Sequence, residues 1–214
     1  LRYAYYQYDF SAVRSPGLYQ IETAGQRSNA FRIAPDVYAT AWHPTLDVFM
    51  PVQMDHMFVN EAYRVWHGRS HMDDARQVEP GRQHFDLFAQ GPDLDSPFQP
   101  GEHIPGLDYG GWFDAGDFDI RTQTHYATVM SLVDVWEDFR PLRDETSIDQ
   151  ARRHVEIHRP DGVPDLLQQI EHGTLALIAG ALALIRPARL VDPDRRTELR
   201  GYALAVLASG ILHI

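Results

Sequence analysis

The chain has 214 residues, 44% of them hydrophobic, with 30 acidic against 19 basic side chains and a formal net charge of −11. That is enough apolar content for the core of one domain, or of one and part of another, while the acidic balance argues against phosphate-neutralising contacts and excludes nucleic acid as a partner. There is no cysteine, and every one of the 19 basic residues is arginine, which removes disulfides, thiolate metal sites, Cys nucleophiles and lysine Schiff-base chemistry.

The chain opens Leu1-Arg2-Tyr3 without an initiator Met, a charged leader or an apolar leader core, so its start is expected after processing or inside a longer protein. Residues 1 to 33 read as strands. Tyr3, Tyr5, Tyr6 and Tyr8 lead into Phe10, Ser15-Pro16-Gly17 turns the chain, Leu18 to Ile21 is extended, and Ala24-Gly25 breaks it before Phe31-Arg32-Ile33. After Pro35 the apolar residues recur at helical spacing through Val37, Tyr38, Trp42, Phe49, Met54, Met57, Phe58, Tyr63 and Trp66, and Glu61 reads as helix surface. From 68 to 111 no period is sustained, which predicts a loop of about forty residues, far beyond the usual 4–6 and of the kind that carries function.

Tyr126, Val129, Met130, Val133 and Trp136 form one apolar stripe and predict a helix of about four turns. A turn at Arg159-Pro160-Asp161-Gly162 and Pro164 predict a second helix start running through Leu166, Leu167 and Ile170, and a last helix is expected from Asp192-Pro193. The longest apolar run, Leu175 to Ile185, ends at Arg186 and contains Gly180. It falls short of the ~20 residues a bilayer crossing needs, so no membrane span is expected.

The densest chemical signal is Tyr109-Gly110-Gly111-Trp112-Phe113-Asp114-Ala115-Gly116-Asp117-Phe118-Asp119. Carboxylates crowded on a glycine-rich backbone can raise one another's pKa or poise one as a base, and Tyr109, Trp112 and Phe113 offer faces on which sugar rings stack. Residue chemistry alone leaves two readings open: a carboxylate site for a polar, ring-shaped substrate, or a solvated acidic turn with structural calcium, although the alternating acids and distal Glu of an EF-hand are missing. A second cluster, His67 to Asp74, has two histidines four apart, but too few ligands for a closed four-coordinate zinc site, so no metal is expected there. His84, His103, His125, His154, His158, His172 and His213 show no ligand spacing.

Gly110 to Asp117, GGWFDAGD, resembles the signature of glycoside hydrolase family 9, the inverting cellulases and related β-glucanases. Asp161-Gly162-Val163-Pro164-Asp165-Leu166-Leu167 resembles that family's NGIPDLL helix start. Asp9-Phe10-Ser11, Pro16 to Tyr19 and Phe31 to Ile33 resemble the end of the immunoglobulin-like module that often precedes its catalytic domain. The resemblance implies a mainly α chain. Residues 1–34 would be the end of the β module, and 35–214 part of an (α/α)6 barrel. It further implies Asp117 as the base that deprotonates water, Asp114 as its helper, and Trp112, Phe113 and Tyr109 as substrate-binding residues. The partner would be a polysaccharide or oligosaccharide, with no cofactor required and a secreted or periplasmic location. The family's catalytic Glu finds no match here; Glu198, the last Glu, lies in a helix-like pattern among Arg195, Arg196 and Arg200. The readings to be separated are therefore hydrolysis of a β-1,4-linked glucan, impaired for want of that acid, and a non-catalytic glycan-binding or structural remnant.

Overall fold

The computed structural model describes residues 5–80, 98–115 and 118–188. It divides into two compact units, Leu1–Pro44 and Thr45–Ile214.

In the first unit, β1 (Gly17–Tyr19) pairs antiparallel with β4 (Phe31–Ile33), Leu18 opposite Arg32. Between them β2 (Glu22–Thr23) and β3 (Gln26–Arg27) form a hairpin. Ala24 and Gly25 turn it with φ of 48° and 76°, the two left-handed residues of a tight hairpin turn. None of residues 5–44 is buried, as expected of isolated two-stranded pieces.

The second unit starts with a π-helical turn, Thr45–Phe49, that runs into α1 (Met50–Gln53). A four-stranded mixed sheet follows in the order β6-β5-β8-β7, made of β5 (Phe58–Glu61), β6 (Arg64–His67), β7 (Thr146–Asp149) and β8 (His154–Ile157). The two hairpins are joined by parallel pairing of β5 with β8, Val59 opposite Val155. Two long helices, α2 (Thr122–Phe139) and α3 (Asp165–Ala188), pack on one another. The core is built from Met54, Met57, Val59, Val155, Ile157 and Leu166 together with Trp112, Val129, Val133 and Ile170. No described helix is long and apolar enough to cross a membrane.

The expected mainly α chain with a partial (α/α)6 barrel is not what forms. The described residues hold α1, α2 and α3 beside a mixed sheet. The helical reading of residues 36–66 fails at Phe58-Val59-Asn60-Glu61, where Val59 and Glu61 are buried and their neighbours half-buried, a period of two. Glu61 is thus 4% exposed rather than on a helix surface; it accepts the Trp66 indole N–H at 2.9 Å and pairs with Arg64 at 3.2 Å. The β7–β8 hairpin has no counterpart in the sequence reading. The stripe-based helix and the helix start at Pro164 are found as α2 and α3, although Tyr126 is 43% exposed and His125 takes the buried place. The helix expected from Asp192 and Glu198 lies outside the described residues.

The Asp161-Gly162 turn is pinned by Asp144, which accepts N–H bonds from Asp161 at 2.9 Å and Gly162 at 2.7 Å. Asp165, the first residue of α3 and 1% exposed, accepts the N–H groups of Glu145 at 3.0 Å and Thr146 at 3.0 Å. Burial pushes its carboxyl from 3.8 up to about 7, those two donors pulling the other way. Burial likewise holds His172 down, from 6.5 to about 3. Between 3.8 and about 7 folded Asp165 keeps a proton the unfolded chain has lost, so stability falls as pH rises. Between about 3 and 6.5 the unfolded chain protonates a histidine that folded His172 leaves neutral, so stability rises with pH. The two oppose each other from 3.8 to 6.5. Thermal melts are expected to show a broad optimum near pH 4–6.5 with losses on both sides, at roughly 1.4 kcal/mol per pH unit for each unopposed proton. A melting temperature that climbs steadily through neutrality would contradict this.

Candidate functional site

The Gly110-Gly111-Trp112 segment is clamped against α3. The Gly111 N–H donates to the His172 carbonyl at 3.1 Å, and His172 Nε2–H returns a bond to the Gly111 carbonyl at 2.7 Å. Gln150 Oε1 lies 3.2 Å from His172 Nδ1 while Gln150 Nε2 is buried without a partner. Exchanging the two ends of that amide gives the neutral ring nitrogen its donor. Trp112 is 5% exposed and belongs to the core. Its indole N–H donates to Gln169 Oε1 at 2.8 Å, its carbonyl accepts from His125 Nε2 at 2.8 Å, and its ring lies where Gly173 has no side chain. Phe113, 6% exposed, meets Phe118, His67 and His71 edge to face with ring centres 4.8, 5.5 and 6.2 Å away.

Beyond Phe113 the chain folds back on itself, with the Asp114 N–H on the Asp119 carbonyl at 2.8 Å. Arg121 Nε bridges Asp114 Oδ2 at 3.2 Å and Asp119 Oδ2 at 2.9 Å, and Thr124 Oγ–H donates to Asp114 Oδ1 at 3.0 Å. Both oxygens of Asp114 are therefore engaged, and a guanidinium occupies the position that a calcium ion between these carboxylates would need. Asp117 lies outside the described residues.

Above this segment opens a cleft of about 340 Å³, whose walls include His56, His71, Tyr109, Phe118, Asp119 and His125. Of the three aromatic residues expected to bind substrate, Tyr109 is half-exposed in the cleft wall, whereas Trp112 and Phe113 are packed beneath it. Four wall residues, His56, His71, Asp73 and Phe118, have φ of 64°, 45°, 53° and 62°. Left-handed backbone at non-glycine residues costs about 1–3 kcal/mol each and gathers at functional sites.

The histidine cluster is organised by a residue the sequence reading passed over. Asp55, fully buried, accepts Ser70 Oγ–H at 2.5 Å, His71 Nδ1–H at 2.5 Å and the His56 N–H at 2.6 Å. Burial lowers the His56 pKa, and its Nδ1–H points at the Ser70 and His71 carbonyls, 3.2 and 3.0 Å away. His67 takes no part: its ring nitrogens lie 2.8 Å from the Gly68 carbonyl and 2.9 Å from the Val52 carbonyl. Among the described residues no group of three or more His, Cys, Asp or Glu side chains is placed to hold a metal ion. His125 and His172 were set aside in the sequence because they show no ligand spacing, and Asp55-His56 carried only the signal of a polar pair between Met54 and Met57.

No family model and no curated protein matches the sequence. Among solved structures the fold is similar to the GH family 9 endoglucanase J30, with a TM-score of 0.53 and 17% identity over 93% of this chain and 42% of that one. The chain thus spans less than half the length of that glycoside hydrolase, and a likeness at this identity is one of fold.

Proposed function

We propose that the chain carries the water-activating side of an inverting β-1,4-glucan hydrolase site. The observation that supports this most is the convergence of Asp119, an exposed tyrosine face and four left-handed residues on one cleft. In this reading Asp117 is the base that takes a proton from water. Asp114, both of whose oxygens are already engaged, orients that water. Tyr109 stacks on a sugar ring, while Trp112 and Phe113 support the loop from below. An inverting enzyme also needs an acid roughly 6.5–9.5 Å from the base, across the scissile bond; that role is not assigned to a residue of this chain. Residues 1–34 are read as the end of an immunoglobulin-like module and 35–214 as hydrolase domain. In this reading the protein is secreted or periplasmic, where a polymeric substrate is met.

Calorimetric titration with a soluble β-1,4-gluco-oligosaccharide tests the reading, together with release of reducing sugar. Binding is expected in the parent chain, with Tyr109→Ala weakening it roughly tenfold, the scale of one lost ring contact. Binding without release of reducing sugar and without cleavage of an aryl β-glycoside, whose leaving group needs little acid help, would select the glycan-binding alternative. An absence of both would remove the proposal.

A further inference from the structure

On the other side of the loop that carries His71 lies a second, open groove of about 740 Å³ with a different chemistry. Its floor is the outward face of the β7–β8 hairpin. The pairs Ser147 with Glu156 and Asp149 with His154 point into it, while Ile148, Val155 and Ile157 face the core. Its rim is cationic. Arg69, Arg152, Arg153 and Arg159 line it, against the carboxylates Asp149 and Glu156. In a chain of net charge −11 this concentration of positive charge stands apart. The adjoining cleft has Asp73, Asp74 and Asp119 in its wall and no arginine.

The four arginines are not equally committed. Arg153 is bonded to Asp108, and Arg159 to Glu156. Arg152, its side chain 86% exposed, lies 3.6 Å from Asp149. Arg69 gives one N–H to the Arg152 carbonyl at 2.7 Å and pairs with no carboxylate among the described residues. Its remaining donors, beside those of Arg152, form the planar fork that carboxylate and sulfate oxygens accept in pairs. Arg153 ties groove to cleft: its guanidinium lies 5.0 Å over the ring of Tyr109, and its Nη1 is 3.3 Å from Met72 Sδ in the groove. A chain lying across Tyr109 therefore passes from a wall of acids to a rim of arginines.

We infer that Arg69 and Arg152 bind an anionic substituent, a carboxylate or a sulfate, on the glycan held in the cleft, so that the preferred ligand is an acidic rather than a neutral β-glucan. This rests on the glycan reading above and narrows its substrate class.

The test compares three oligosaccharides of equal length by calorimetry: a neutral cello-oligosaccharide, its C6-oxidised form and a sulfated form. At low salt at least one acidic form is expected to bind about tenfold more tightly than the neutral one, with the advantage shrinking as salt rises. Which form gains identifies the substituent. The double variant Arg69→Gln, Arg152→Gln should lose the advantage and keep the neutral affinity, both side chains being exposed and outside the core; each single variant should lose part of it. Equal binding of neutral and acidic forms, or an advantage untouched in the double variant, would overturn the inference while leaving the glycan reading in place. Failure of all three to bind would overturn both.

Discussion

Gly110→Ala is expected to cost more than about 3 kcal/mol and to lower the melting temperature by roughly 6–12 °C in a chain of this size. A Cβ at residue 110 would sit 2.1 Å from the His172 carbonyl and 2.6 Å from the Ala176 N–H, both backbone atoms of α3 that cannot swing aside. The φ of +71° adds the ordinary penalty of a side chain in the left-handed region, about 1 kcal/mol. Gly111→Ala meets His125 Cε1 at 2.6 Å with φ of +88° and should behave similarly. The comparison that isolates the clash is Gly25→Ala. There φ is +76° but nothing lies within 4 Å, so the loss should stay near 1 kcal/mol. Equal losses at Gly25 and Gly110 in thermal melts would show that backbone conformation alone, and not the close approach of α3, sets the glycine requirement.

Asp117→Asn is expected to reduce hydrolysis of an aryl β-glycoside by at least about 10²–10⁴-fold while leaving oligosaccharide affinity within a factor of about two. The aryl substrate is chosen because its leaving group departs with little acid help, so the assay reads the water-activating half of the reaction by itself. The amide keeps the shape of the carboxyl and removes the proton acceptor. Asp114→Asn should cost less, because Thr124 and Arg121 hold that carboxylate already and its share is orientation. Asp119→Asn separates the remaining possibility, since Asp119 lines the cleft and shares Arg121 with Asp114. A larger loss at Asp119 than at Asp117 would move the base to Asp119.

What the sequence revealed depended on how local the determining physics was. α2 and the start of α3 were legible because an apolar stripe and a proline at the helix entrance are local signals, and the chain break at Ala24-Gly25 for the same reason. The sheet of the second unit was hidden. Phe58 to Glu61 is four residues long, its half-buried and buried positions alternate, and it follows Met54 and Met57 at a spacing that imitates a helix. β7 and β8 are equally short and polar on their outer face, and Ile148, Val155 and Ile157 are covered by elements distant in the chain. Resemblance to known glycosidases implied a barrel of helices, whereas a mixed sheet stands beside α2 and α3. Within the site, Tyr109, Trp112 and Phe113 read alike as ring faces; Tyr109 is exposed, whereas the burial of Trp112 follows from Gly173, more than sixty residues away in the chain, about which spacing says nothing. Asp55 was illegible because its importance comes from two loops meeting.

The parallel pairing of β5 with β8 also sets an order of events during synthesis. Val59 waits for Val155, 96 residues later. At translation rates of about 5–20 residues per second that is a delay of roughly 5–20 s. Throughout that interval the β5 edge of the β5–β6 hairpin is unpaired, with Phe58 uncovered before His154 arrives to stack on it at 5.6 Å. An edge of that kind is a template for pairing with another nascent copy. The yield of native chain should therefore depend on expression rate and temperature more steeply than the stability of the finished fold would suggest.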